Sequence, residues 1–74
     1  MSRNIVSPMP GTVHEIFIAL GDQVDAHEEI LVIAAMKMEN SVYTPVAGKV
    51  TGILVEEDQK VDANQVLVTI EESP

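Results

Sequence analysis

Two segments of this sequence repeat one pattern: Ile5–Lys37, which reads IVSPMPGTVHEIFIALGDQVDAHEEILVIAAMK, and Val42–Pro74, which reads VYTPVAGKVTGILVEEDQKVDANQVLVTIEESP. They align without a gap at an offset of 37 residues, and 8 of the 33 aligned positions are identical. The identical pairs are Pro8 and Pro45, Gly11 and Gly48, Val13 and Val50, Ile16 and Ile53, Val24 and Val61, Asp25 and Asp62, Ala26 and Ala63, and Ile33 and Ile70. A solenoid needs at least three repeats, so two copies predict two halves packed about a pseudo-twofold axis around one core.

Each repeat is predicted to form four short β-strands. Val, Ile and Thr are plentiful, and turn residues recur every 8–12 positions or so, as expected of short strands. Prolines at positions 8, 10 and 45 oppose a helix, and no useful length of sequence has a helical apolar stripe. The predicted strands are 4–8, 12–19, 23–25, 30–35, 38–45, 49–56, 60–62 and 66–71.

The second strand of each repeat contains a break in its alternation. Val13 precedes Ile16 by three residues, and the second repeat has the same apolar spacing. Because side chains alternate between faces with period two, this spacing predicts a bulge or corner near Glu15 and Gly52. Such corners let sheets close over one another. We therefore predict an all-β fold, a flattened barrel-sandwich of two antiparallel four-stranded sheets with pseudo-twofold symmetry.

Composition and charge limit the classes of protein to which the chain can belong. Its 74 residues predict one domain over 1–74, with a core at about 5–72. The absence of cysteine excludes disulfides and thiolate chemistry. A net charge of −8 disfavours nucleic acid and anionic membranes as partners, and no apolar run approaches the ~18 residues of a membrane span. We predict a cytoplasmic location, or a mitochondrial or plastid one for a eukaryotic fragment.

The first repeat ends in Ala35-Met36-Lys37-Met38-Glu39-Asn40, which closely resembles the biotin attachment motif of biotin carboxyl carrier proteins and biotinyl domains. Pro74 is the counterpart of Lys37, so the second repeat lacks this lysine. The resemblance extends over about residues 5–72 and includes Ser7–Gly11, Gly21-Asp22 with Val24, Asp58–Val61 and Leu67–Glu71. It implies that biotin is attached to Lys37, and that Ala35, Met36 and Met38 form the turn and are recognised by the ligase.

Local propensity and the resemblance predict different turns. Two-residue hairpin loops favour Asn-Gly or Asp-Gly because both residues need positive φ, so Asn40-Ser41 is the better turn by propensity than Met36-Lys37. The resemblance places the turn at Met36-Lys37. Two residues depart from the family pattern: Ala34 stands where Glu is common, and His27 stands where Gly is common.

The resemblance implies a non-catalytic carrier that works with several enzymes. A biotin protein ligase modifies Lys37, a biotin carboxylase loads the carboxyl group, and a carboxyltransferase or decarboxylase removes it. Ser7-Pro8-Met9-Pro10-Gly11 looks most like the carrier domains of acyl-CoA carboxylases. One alternative is the lipoyl carrier of a 2-oxo acid dehydrogenase complex, which shares the fold but usually has Asp-Lys-Ala at the turn. The other is a structural β-module with an unmodified lysine, whose flanking methionines pack in the core.

No second centre of chemistry is predicted. His14 and His27 lack metal-ligand spacing and are expected to face solvent. The acidic runs Glu28-Glu29 and Glu56–Asp58 fall at predicted turns, where a solvated surface is the expectation rather than a catalytic carboxylate pair. The sequence therefore predicts no metal ion and no catalytic residue, and Lys37 is the one candidate for covalent chemistry.

Overall fold

Eight β-strands form the regular structure of residues 1–73, the part of the chain that the computed structural model describes. They are β1 Ser2–Val6, β2 Gly11–Ile16, β3 Gln23–Val24, β4 Glu29–Ala35, β5 Met38–Tyr43, β6 Gly48–Ile53, β7 Lys60–Val61 and β8 Val66–Glu72. All eight predicted strands are present, although β2 and β6 end three residues earlier than predicted. Within the same residues, no helix could cross a membrane. Pro74, the predicted end of the second repeat, lies outside the described residues.

The strands form two four-stranded sheets that are related by the repeat. One sheet has the order β1-β8-β6-β3 and the other β5-β4-β2-β7, with antiparallel neighbours throughout. The 37-residue offset converts β1, β2, β3 and β4 into β5, β6, β7 and β8, and it thereby converts the first order into the second. Each sheet takes two strands from each repeat. The predicted pseudo-twofold barrel-sandwich is confirmed.

A β-bulge interrupts the second strand of both repeats. In β2, Val13 and Glu15 pair with successive residues of β4, which leaves His14 as the extra residue. In β6, Thr51 is the extra residue immediately before Gly52. The bulge shifts the alternation by one, so Val13 and the apolar residue three positions later both reach the core. The predicted irregularity is confirmed, and its centre lies one residue before the predicted positions.

The core lies between the sheets and is symmetric in composition. Its members come from both repeats: Ile5, Val13, Val24, Ile30, Leu31, Ile33, Val42, Val50, Val55, Val61, Leu67, Val68 and Ile70. Two buried hydroxyls, Ser7 and Thr44, also occupy equivalent positions. Each donates to a main-chain oxygen two residues ahead, at 2.6 Å for Ser7 and 2.7 Å for Thr44, so neither is left without a partner.

Two glycines of the repeat, Gly11 and Gly48, are required by close contact between strands. A Cβ on Gly48 would lie 2.1 Å from the main-chain oxygen of Glu71, and one on Gly11 would lie 2.6 Å from that of Ala34. We expect Gly48→Ala to lower the free energy of unfolding by about 1–3 kcal/mol, because β8 must move away from β6. Gly11→Ala should lower the free energy of unfolding by less, since the added Cβ would lie farther from its nearest atom than the Cβ at position 48. Urea unfolding of both variants measures which of them is the less stable. A urea midpoint for Gly48→Ala equal to that of the protein with the original sequence would contradict the prediction.

Candidate functional site

The motif Ala35–Asn40 forms the tip of the β4–β5 hairpin. Ala35 pairs with Met38, so Met36 and Lys37 are the only two residues of the loop. Their φ angles are +52° and +66°, which is the backbone that a two-residue type I′ hairpin requires. Asn40 and its neighbour Ser41 instead lie within β5, paired with β4. The turn predicted from propensity is therefore wrong, and the turn implied by the resemblance is confirmed.

The tip is locally strained and its support is rigid. A residue with a Cβ loses about 1–2 kcal/mol in the left-handed region, and two such residues are adjacent here. Packing of the hairpin arms opposes this cost, because Leu31 and Ile33 of β4 are fully buried and Val42 of β5 is nearly so. Strain of this kind persists only where the surroundings over-determine it, and it is typical of functional sites.

Lys37 is presented to solvent between two exposed methionines. Met36 is 95% exposed and Met38 is 65% exposed, while Ala35 is partly buried at the base of the turn. Among residues 1–73, the N-terminus and Arg3 form ion pairs with carboxylates and His14 lies 3.4 Å from one, but none of these contacts involves Lys37. Neither methionine packs in the core, in contrast to the structural β-module alternative. The geometry offers a primary amine on a flexible stem that projects from a fixed turn.

The other two lysines have different settings. Lys49 lies in β6, which is paired on both sides, opposite Gln23 and Glu71. Lys60 lies in the two-residue strand β7 and pairs with Thr12. Both are exposed, but each projects from a hydrogen-bonded strand rather than from a hairpin tip. Of the three lysines, Lys37 alone projects from the tip of a hairpin.

A second polar group, not predicted from the sequence, lies beside the tip. Glu39 of β5 is the direct cross-strand partner of Ala34 in β4. Its Oε2 lies 3.4 Å from Nε2 of His14, the bulge residue of β2. Because β4 runs between β2 and β5, this contact spans the width of β4. The sequence carries no usable signal for it, because the direction of His14 depends on which residue is the centre of the bulge.

The family model described as biotin-requiring enzyme matches residues 3–70 of this sequence. This chain belongs to that family. The match covers the first repeat, the hairpin tip and most of the second repeat, so the family prediction made from the motif is confirmed.

Similar proteins are carboxylases and their carrier subunits. The chain is 39% identical to the biotin carboxyl carrier protein of Streptococcus mutans over 93% of its length, and it spans 53% of that protein. It is 33% identical to the mitochondrial methylcrotonoyl-CoA carboxylase subunit alpha of Mus musculus over 90% of its length, and it spans 9% of that protein. In structure it is similar to Kluyveromyces lactis urea carboxylase, with a TM-score of 0.90 and 30% identity over 96% of this chain and 6% of the other.

His27, one of the two departures from the family pattern, has a conformational cost. Its φ is +69°, in the region where glycine is favoured, and its counterpart Asn64 has φ of +66°. Asn tolerates this conformation better than most residues, so the equivalent position in the second repeat was a usable signal. His27 is exposed, and its main-chain N–H donates to the oxygen of Thr44 at 2.6 Å. The departure affects only a loop of this biotin-requiring family domain.

The acidic runs bond to nearby turns and strands. Glu28 accepts a hydrogen bond from the main-chain N–H of Asp25 at 3.0 Å, and Glu57 accepts one from Ile16 at 3.1 Å. Glu29 is bonded to the hydroxyl of Ser41. Both predicted surface runs therefore have structural roles. Across residues 1–73, no three His, Cys, Asp or Glu side chains are grouped so as to hold a metal ion.

Proposed function

We propose that this domain carries biotin as an amide on Nζ of Lys37 and presents it in turn to two active sites of a biotin-dependent carboxylase. The supporting observation is the position of Lys37 at the exposed end of a two-residue hairpin loop whose arms are anchored in the core. Family membership bears out the predicted carrier function and its cofactor, biotin. Attachment at Lys37 is our inference from the motif and this geometry.

The residues of the tip suit a long covalent arm better than an enclosed pocket. Biotin and the lysine stem would together span about ten bonds, a reach on the order of 12 Å at ~1.5 Å for each bond. Biotin supplies a ureido nitrogen that accepts and releases a carboxyl group. The domain holds the arm's origin fixed, which keeps the tethered group at high effective concentration near each partner.

Partners are inferred from the family. We propose that a biotin protein ligase forms the amide, that a biotin carboxylase adds the carboxyl group, and that a carboxyltransferase or decarboxylase removes it. The acidic charge of the domain, −8 overall, favours partners with basic docking surfaces and disfavours nucleic acid. Likeness to an acyl-CoA carboxylase subunit supports the predicted acyl-CoA type of reaction. The domain itself is proposed to be non-catalytic, since Lys37 is placed to be modified and no general base lies in its turn.

Two further predictions remain proposals. Residues 1–74 are proposed to act as one carrier domain, in agreement with a core that includes strands of both repeats. A cytoplasmic location is also proposed, although some similar carboxylases are named as mitochondrial, such as the mouse methylcrotonoyl-CoA carboxylase subunit.

Intact mass after incubation with biotin, ATP and a biotin protein ligase tests the proposed function. One biotin increment is expected. A parallel incubation with a lipoyl ligase tests the alternative of a lipoyl carrier. This alternative is the weaker one, because the similar proteins include a biotin carboxyl carrier protein and a carboxylase subunit. A lipoyl increment alone would move the domain to the 2-oxo acid dehydrogenase complexes. An unmodified mass in both incubations would favour the structural β-module.

The methionines beside Lys37 are expected to contribute to recognition by the ligase. The double variant Met36→Asp with Met38→Ala creates Asp-Lys-Ala, and it should accept biotin roughly 10- to 200-fold more slowly, the usual discrimination by pockets around one side chain. The fold should be retained, because both methionines are exposed and Asp tolerates the positive φ at position 36. Initial biotinylation rates measure the effect, with circular dichroism as the control for folding. Equal rates would remove both methionines from the recognition surface.

A further inference from the structure

The outer face of the β5-β4-β2-β7 sheet has a single carboxylate at the base of the Lys37 turn. Residues of β5 alternate between faces, and buried Val42 marks the inner one, so Glu39 lies on the outer face. Its cross-strand partner Ala34 has no functional group. Glu39 is two residues from Lys37 and 67% exposed. The face beside the acceptor lysine therefore has a negative charge on its edge strand.

The pseudo-twofold counterpart of this pair has the opposite arrangement. The 37-residue offset relates Ala34 to Glu71 and Ser2 to Glu39. Ser2 and Glu71 are also cross-strand partners, and the hydroxyl of Ser2 donates to the Glu71 carboxylate at 2.9 Å. In that sheet the carboxylate is on the inner strand β8 and the small residue is on the edge strand β1. Beside Lys37 the small residue, Ala34, is on the inner strand β4 and the carboxylate, Glu39, is on the edge strand β5. The negative charge therefore lies on the edge strand of this sheet.

His14 lies beside the displaced carboxylate. Its Nε2 lies 3.4 Å from Oε2 of Glu39, although β4 separates the strands of the two residues. The equivalent bulge residue, Thr51, bonds instead to Thr69 of its neighbouring strand at 3.1 Å. His14, Ala34 and Glu39 thus form a group with one exposed carboxylate beside the Lys37 turn, and the pseudo-twofold related positions Thr51, Glu71 and Ser2 lack this arrangement.

We propose that Glu39 is a specificity-determining residue of this domain, whose carboxylate pairs with a cationic side chain of the biotin protein ligase while Lys37 enters the active site. The proposal rests on the proposed function. An enzyme that takes Lys37 end-on must cover the tip and the adjoining edge of β5, where Glu39 is exposed. A charged hydrogen bond there fixes the orientation of the turn, and the acidic surface of the domain attracts a basic partner.

The test compares initial rates of biotinylation by a biotin protein ligase for four proteins. Glu39→Gln removes the charge and should lower kcat/KM about tenfold, mainly through a higher KM, because a hydrogen bond to a charged group is lost. Glu15→Gln removes the same charge from β2 of the same sheet and serves as the matched control, with kcat/KM near that of the unmodified protein. Glu39→Gln combined with Ala34→Glu restores a carboxylate on the paired residue, about 5 Å away, and should recover most of the rate.

Salt dependence is a second readout that does not need the rescue variant to fold. The biotinylation rate of the protein with the original sequence should fall more steeply with ionic strength than the rate of Glu39→Gln. The reason is that the variant lacks one close charge pair with the ligase. Equal losses for Glu39→Gln and Glu15→Gln would overturn the proposal, as would identical salt dependence. In either case, complete biotinylation of Lys37 after long incubation would leave the proposed function intact. Failure of the unmodified protein to accept biotin would instead reject that function.

Discussion

Lys37→Arg is expected to accept no biotin in the presence of ligase, ATP and biotin. The guanidinium of arginine keeps the positive charge of the turn but is not deprotonated in proteins, so it offers no amine to acylate. The two remaining lysines do not replace Lys37, because Lys49 and Lys60 project from paired strands rather than from a hairpin tip. After the same incubation, peptide mapping of the protein with the original sequence should locate all of the biotin on Lys37. Intact mass should show no biotin on the Lys37→Arg variant.

Matched controls separate loss of the acceptor from loss of the fold. Lys49→Arg and Lys60→Arg make the same chemical change at exposed positions, and both should accept biotin at the rate of the unmodified protein. Circular dichroism should be the same for all three variants, since each keeps the charge. Biotin on Lys37→Arg would assign the acceptor to another residue and would reject Lys37 as the attachment site.

The pseudo-twofold symmetry of the sandwich could be predicted because the strand pattern is encoded twice, whereas the strand order needed the structure. A run of short strands alone is compatible with many sheet orders, but a gapless repeat requires that each strand pairing have a symmetry-related counterpart. The irregular spacing from Val13 to Ile16 likewise occurs in both halves, and it predicted the bulge to within one residue. Strand ends were less accurate, because the loops after β2 and β6 continue with apolar residues, Phe17 and Leu54, that are exposed outside the sheets.

The position of the turn shows where local propensity fails. Asn40-Ser41 has the better turn residues, but a turn there would disrupt the register in which Ile33 and Val42 both face the core. Burial of these apolar side chains outweighs the cost of positive φ at Met36 and Lys37. Tertiary packing therefore decides the turn, and only the likeness of the motif to a known attachment site could place it from the sequence.

The pairing of His14 with Glu39 could not be predicted from spacing. These residues are 25 positions apart on strands that are not neighbours, since β4 lies between them. Their contact requires the bulge to be centred on His14 rather than on Glu15, a difference of one residue that reverses the direction of the side chain. Sequence patterns predict bulges only to about this accuracy, so side-chain partners next to a bulge need the structure.

Ile33→Ala is expected to lower the free energy of unfolding by about 2–5 kcal/mol, whereas Lys37→Ala should change it by no more than about 0.5 kcal/mol. Ile33 is fully buried in the core shared by both sheets, so truncation removes apolar contacts and leaves a cavity. Lys37 lies four residues away at the exposed tip. Alanine has the same difficulty with positive φ as lysine, so the strain of the turn is unchanged.

Ile70→Ala is the matched control, because Ile70 is the pseudo-twofold counterpart of Ile33 and is equally buried. Denaturant unfolding of the three variants should give similar large losses for the two isoleucines and none for the lysine. A large loss for Lys37→Ala would make the lysine a structural residue and would weaken the carrier proposal. A loss confined to one isoleucine would show that the repeats do not contribute equally to one core. Both isoleucine variants should still accept biotin at Lys37 under conditions in which they are folded. That result would show that biotinylation requires the folded hairpin and does not require the full stability of the domain.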